Sequence, residues 1–205
     1  MWLAENLGAT TVGITISSRQ AQIATEHARE RGSDSSFVLM DAEQMAFKSD
    51  RPIFDVVWAV AVMTHLRDQQ AFLKAATDLL RPGGKFVMFD WMLGQDAKEG
   101  NEDPIVDRVS TGMLLSSIHR LQTYTRWFNG QGSRVIYAED ITDHTIGTWD
   151  AAFSTLTDPK VWKLALQATS EERKLLLPFF KSIGPMKQAI LQRKLISGAI
   201  VAQKI

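Results

Sequence analysis

Apolar and polar positions along the chain fall into blocks that read alternately as strand and helix. Residues 1–7 place Trp2, Leu3 and Leu7 on one helical face, and Gly8 supplies the stop. Thr10-Thr11-Val12-Gly13-Ile14-Thr15-Ile16 is short and β-branched, which predicts a strand. Ser17 or Ser18 then caps a helix that runs through Gln20, Ile23 and Ala24 to Arg31, before Gly32. Ser36-Phe37-Val38-Leu39-Met40 reads as the next strand, with Asp41-Ala42-Glu43 beyond its end. Pro52 marks a turn into a strand over residues 54–59. Phe72, Leu73, Ala76, Leu79 and Leu80 recur at helical spacing over about residues 68–80. A Pro82-Gly83-Gly84 corner leads into another apolar strand, residues 85–89.

From Gly94 the rhythm changes. Residues 95–104 are an acidic, glycine-containing loop, and 105–127 form a helical stretch rich in Met, Leu, Ser and aromatics. A strand over 133–138 follows, then helices over about 145–156, 160–168 and 170–183. Gly184-Pro185 separates these from one more helix, and residues 198–202 close the chain as a strand. Strands alternating with helices of this length predict an α/β fold with a mostly parallel sheet and right-handed crossovers. No internal repeat is present, so the economical organisation is one domain over 1–205 carrying a helical insert.

Composition narrows the function classes. The 205 residues include 23 Lys+Arg and 23 Asp+Glu, for a formal net charge of zero, which argues against an electrostatic nucleic-acid binder. There is no cysteine, so disulfides, thiolate catalysis and Cys-ligated zinc are excluded. The longest apolar run, residues 56–63, falls far short of the roughly 20 residues that a membrane helix needs. The N-terminal stretch has neither a basic region nor a cleavage site, so no signal peptide is expected. The expected location is cytoplasmic.

In open α/β sheets ligands sit beyond the carboxyl ends of the strands. Three such ends carry suggestive residues: residues 13–20, the Asp41-Ala42-Glu43 group, and the loop from Ala59 to His65. At these residues the chain resembles the class I S-adenosylmethionine-dependent methyltransferases. It is most similar to the group that includes tocopherol and sterol methyltransferases and the cyclopropane fatty-acid synthases. That group carries a G-[IL]-T-[LI]-S-x-x-Q motif, matched by Gly13 to Gln20. It also has an acidic or Gly position after the next strand, a [FY]-D-x-[VI] strand ending in a loop with a histidine, and an L-[LK]-x-P-G-G motif.

The resemblance implies a Rossmann-like methyltransferase fold and S-adenosylmethionine as cofactor. Thr15 and Ile16 would face its ribose and adenine, and Gln20 would reach it from the helix. Asp41 and Ala42 would lie at the adenine edge, where a carboxylate can accept from the exocyclic amine. Val60 and His65 would line the sulfonium side, with His65 the one histidine placed for proton transfer. Residues 1–94 would form the cofactor-binding half, and 95–130 and 143–195 the helical elements around the acceptor. The implied activity is methyl transfer to a small, apolar acceptor. No nucleic acid or integral membrane association is expected, and a homodimer is compatible.

One departure stands out. The family's E/D-x-G-x-G loop and its strand have no counterpart in these residues. That strand normally lies between those of residues 10–16 and 54–59. Without it, either those strands pair directly or an unpaired cleft leaves backbone groups unsatisfied. Weak or lost cofactor binding is the expected consequence, and an N-terminally truncated gene product is one explanation. The alternative function is a non-methylating relative: a pseudoenzyme, a partner subunit, or a cofactor-independent cyclase or isomerase. The family's acidic residue before the loop histidine is Thr64 here.

Plainer roles stand beside each of these. His65 can be a polar loop residue, Asp41 a turn or capping residue, and Gln20 a solvated helix position. Glu139, Asp140, Asp143 and His144 suggest a metal site, but a strand-end turn with an N-cap explains them better. His119 reads as a surface or core histidine. Tyr124, Arg126, Trp127 and Phe128 fit either an aromatic lid or core packing.

Overall fold

The computed structural model describes residues 1–45, 47, 53–98 and 102–205, and forms two compact units, Met1–Asp50 and Arg51–Ile205. The turn expected at Pro52, and part of the acidic loop before Pro104, lie outside the described residues.

In the first unit, α1 (Trp2–Leu7) ends at Gly8, whose φ of 64° is the left-handed turn that glycine adopts without a Cβ penalty. Strand β1 (Thr11–Thr15) pairs in parallel with β2 (Ser35–Leu39), Thr11 opposite Ser35 and Thr15 opposite Leu39. Gly13 is required by this pairing: a Cβ there would meet the ring of Phe37, its opposite residue, at 2.7 Å. Between the strands runs α2 (Ser18–Glu30), capped by Ser17, whose hydroxyl accepts from the Gln20 amide at 3.3 Å. Ala28 is the one buried residue among those described in this unit.

The second unit is built on a four-stranded sheet in the order β3-β4-β6-β5. Its strands are β3 (Phe54–Val60), β4 (Leu80–Leu93), β5 (Ser133–Asp140) and β6 (Leu195–Lys204). β3 and β4 are parallel, while β6 runs antiparallel to both β4 and β5. The molecule is thus α/β, and its four-stranded sheet is mixed because β6 runs opposite to β3, β4 and β5. β1 hydrogen-bonds to β2 and β3 to β4, each along one edge.

The Pro-Gly-Gly corner is not a separate turn. It is a bulge inside β4: Phe54 lies opposite Leu80, but Val56 lies opposite Lys85. Gly83 takes the bend at φ 77°, and a Cβ on Gly84 would sit 2.8 Å from the Arg81 carbonyl.

Helix α3 (Gln69–Asp78) links β3 to β4 and buries Phe72, Leu73 and Ala76. Its Phe72 meets Phe86 edge-on at 6.2 Å, and Phe86 meets Phe128 at 5.1 Å. Phe128 belongs to α5 (Leu121–Gly130), so Tyr124 and Phe128 are core residues, both fully buried. The helical stretch predicted over 105–127 is two helices, α4 (Pro104–Met113) and α5, because Leu114 turns into the left-handed region at φ 55°. Beyond β5 come α6 (Thr142–Thr145), α7 (Gly147–Thr155), α8 (Pro159–Gln167) and α9 (Ser170–Leu191). The break expected at Gly184-Pro185 does not occur; α9 passes through Pro178 and Pro185. A second core joins Val109 and Met113 of α4 to Met186, Ala189 and Ile190 of α9 and Leu195 of β6. No helix among the described residues is long and apolar enough to cross a membrane.

Candidate cofactor site

Strand β1 delivers Thr15 and Ile16 to the carboxyl edge of the first unit's sheet. Parallel pairing brings the end of β2 to the same edge, where the Met40 amide donates to the Thr15 carbonyl at 3.0 Å. Thr15 Oγ1 donates to Oε1 of Gln20 at 2.8 Å and accepts from the Ser17 amide at 3.2 Å. Gln20 is thereby folded back over the strand end instead of extending along the helix. Ile16 is 78% exposed, an apolar side chain open to a flat ring. Asp41 caps a short 3-10 turn, Ala42–Gln44, its Oδ1 accepting from the Glu43 amide at 2.9 Å. Capping therefore engages one oxygen of an exposed carboxylate, and Ala42 follows it half-buried. The sequence-predicted residues Thr15, Ile16, Gln20, Asp41 and Ala42 thus share one edge of one sheet.

The second unit holds the other two. Val60 ends β3 and is 42% exposed. The chain then turns at Ala61, a non-glycine residue at φ 51°, and enters a 3-10 turn over Met63–His65. His65 is exposed, its Nδ1 3.4 Å from the Leu114 carbonyl. The same turn is tied by the Ser116 amide donating to the Thr64 carbonyl at 2.7 Å and the Ser116 hydroxyl donating to the His65 carbonyl at 3.1 Å. Thr64, at the position the family fills with an acid, is fully buried.

One residue of this region escapes the sequence reading. Asp90, near the end of β4, is 1% exposed and lies beneath the turn. Its Oδ2 accepts from the Met63 amide at 2.7 Å; its Oδ1 accepts from the Thr64 hydroxyl at 3.0 Å and the Trp91 amide at 2.8 Å. Burial pushes this carboxyl above the ordinary range, against the donors from Trp91, Thr64, Met63 and Val62 that pull it down. The signal was available: a carboxylate closing an apolar run, Phe86-Val87-Met88-Phe89-Asp90, must find donors wherever that strand ends.

The remaining candidates have structural employment. Asp140 accepts from the Thr142 amide at 2.9 Å, and Arg193 bridges Asp140 at 3.2 Å and Asp143 at 2.5 Å. No group of His, Asp and Glu able to hold a metal occurs among the described residues. His119 stacks edge-on against Trp127 at 4.8 Å and Tyr124 at 5.9 Å, inside an aromatic cluster.

Residues 1–88 match a family model described as a methyltransferase domain, a span that contains all seven predicted site residues. The chain is 31% identical over 146 residues to a sarcosine/dimethylglycine N-methyltransferase of Halorhodospira halochloris, covering 70% of the chain and 49% of the relative. It is 26% identical over 161 residues to the chloroplastic tocopherol O-methyltransferase of Arabidopsis thaliana, covering 75% and 46% respectively. The chain spans about half the length of the curated relatives it matches. Its fold superimposes on Haemonchus contortus phosphoethanolamine N-methyltransferase 2, solved with S-adenosyl-L-methionine, at a TM-score of 0.79. That match covers 99% of this chain and 45% of the other at 16% identity, a likeness of fold.

Proposed function

The chain belongs to the class I S-adenosylmethionine-dependent methyltransferases, and on that premise we propose that it serves methyl transfer to a small, apolar acceptor while retaining cofactor only weakly. The observation that carries the reading is the family match over residues 1–88, within which Thr15 and Val60 end strands and Ile16, Gln20, Asp41, Ala42 and His65 lie in the segments that follow β1, β2 and β3. S-adenosylmethionine, when bound, supplies a methyl group on an electrophilic sulfonium.

The residues present fit part of that molecule. The uncommitted oxygen of Asp41 can accept from an exocyclic amine, and Gln20 is already held at the strand end by Thr15. Exposed Ile16 offers an apolar face to a ring. The methionine portion lacks its cradle, since no E/D-x-G-x-G loop occurs in the 205 residues. This is the physical ground for weak retention.

The chain's own contribution to the reaction is orientation and exclusion of water, effects that can supply about 7–11 kcal/mol when reactants are aligned. His65 holds the proton of an acceptor that must lose one, its imidazole presented by a turn whose backbone is fixed. The helical elements over 95–130 and 143–195 shape the acceptor pocket. An apolar acceptor accords with the exposed Phe153, Trp162, Leu177 and Phe179 on α7, α8 and α9.

Thermal unfolding with added ligands tests this reading. At a ligand concentration ten times the dissociation constant, binding adds about 1.4 kcal/mol of stability. Millimolar S-adenosylmethionine and S-adenosylhomocysteine should both raise the midpoint, and NAD should not. An equal response to NAD, or none to either adenosyl ligand at millimolar concentration, refutes the assignment.

A further inference from the structure

We propose that Asp90 is the positioning residue of the proposed transfer site, clamping the turn that presents His65; the functional meaning of the clamp rests on the methyltransferase reading above. The turn between β3 and α3 carries a surface histidine, yet a buried carboxyl group holds it from below. Three hydrogen bonds converge on that carboxyl within 3.0 Å, two of them from the turn itself, the Met63 amide and the Thr64 hydroxyl. Capping a surface turn does not call for this. A neutral Ser or Asn would satisfy one or two amides without removing a carboxylate from water, which is costly.

The backbone on either side is also strained. Ala61, at φ 51°, enters the turn directly after Val60, and Leu114, at φ 55°, lies across from His65. A left-handed non-glycine residue is sterically costly, and such strain persists where the surroundings over-determine it. Here they do so twice. Ser116 holds the outer side of the turn through the Thr64 and His65 carbonyls. The segment bearing Ser116 is itself fixed by Gln69, whose amide donates to the Ser117 carbonyl and hydroxyl, both at 2.9 Å. Fully buried Tyr124 donates to the Gln69 carboxamide oxygen at 2.9 Å. A chain of polar groups, buried Asp90 on one side and buried Tyr124 and Gln69 with half-buried Ser117 on the other, thus fixes the backbone while the imidazole stays exposed.

The geometry also fixes what each substitution does. In Asp90→Asn one acceptor oxygen becomes a donor, facing either the Met63 amide or the Thr64 and Trp91 donors. Thr64→Val keeps the shape and deletes the hydroxyl; Thr64→Ser restores it.

The test is solution NMR on the full chain at one fixed pH, following the Met63 amide and the His65 ring protons. In Asp90→Asn, exchange of the Met63 amide should quicken about tenfold or more, and the His65 ring resonances should move. Thr64→Val should move the same ring resonances less, and Thr64→Ser should return them toward wild type. A purely architectural Asp90 lowers the melting temperature and leaves the ring resonances in place, which overturns the proposal. Should Asp90→Asn not fold, Thr64→Val decides: ring resonances that stay fixed overturn the clamp. A failed methyltransferase reading would appear in the ligand-binding measurements and leave these resonances unaffected.

Discussion

Thr15 Oγ1 donates to Gln20 Oε1 at 2.8 Å, so two residues assigned to one cofactor are already bonded to each other. The bond spans the junction between β1 and α2, and it lies at an exposed edge where water can replace it. Gln20→Ala should therefore change stability by less than about 0.5 kcal/mol while weakening S-adenosylmethionine roughly tenfold. Urea unfolding and a ligand titration on the same variant separate the two effects. A large stability loss with unchanged affinity would make Gln20 a structural residue.

The two faces of the second unit should respond unequally to truncation. Phe86, fully buried between Phe72 and Phe128, should cost about 3–5 kcal/mol as Phe86→Ala. Trp58, 56% exposed on β3, should cost less than about 1 kcal/mol as Trp58→Ser. Denaturant midpoints compared at constant slope check the pair.

How much of this was legible follows from the same contrast. The β3–α3–β4 unit could be read because its apolar residues recur at the right period: Phe72, Leu73 and Ala76 are buried. The break at Leu114 could not, since neither Gly nor Pro marks it and its left-handed turn is fixed by tertiary contacts. Pro185 misled in the other direction. A proline inside a helix costs about 3 kcal/mol, but Met186, Ala189 and Ile190 continue one fully buried face, and that burial carries α9 onward. At the site, strand ends and the loop histidine were legible as motif. Asp90, an acid closing an apolar strand, signalled a need for donors but not which ones, because Met63 and Thr64 lie 27 and 26 residues earlier in the chain.

Hydrogen exchange should divide the chain. In the first unit β1 pairs with β2, and Ala28 is the one buried described residue, so little apolar burial opposes local opening. Amides of β1 and β2 should exchange well before those of β4 and β6, where Phe86, Met88, Leu195 and Ile200 are buried. Equal protection in both sheets would contradict this ordering.

Alkaline pH should find Tyr124. Burial, aided by the nearby charge of Asp90, pushes its phenol well above the ordinary value of 10.0. Below that value the phenol is protonated in both states and contributes no pH dependence. Above it the unfolded chain releases the proton and the folded chain does not, so stability falls as pH rises through and beyond 10.0. Tyr124→Phe should lose the bond to Gln69 at neutral pH, yet show a shallower stability loss at alkaline pH. Unfolding curves at neutral and alkaline pH for both proteins give the comparison.

The most direct test of the central claim is calorimetric titration of the 205-residue chain with S-adenosylmethionine. A site with adenosine-side contacts but no glycine-rich cradle predicts saturable binding with a dissociation constant on the order of 1 mM, equivalent to about −4 kcal/mol. A micromolar constant would contradict the claim, showing that the chain holds the cofactor without that loop.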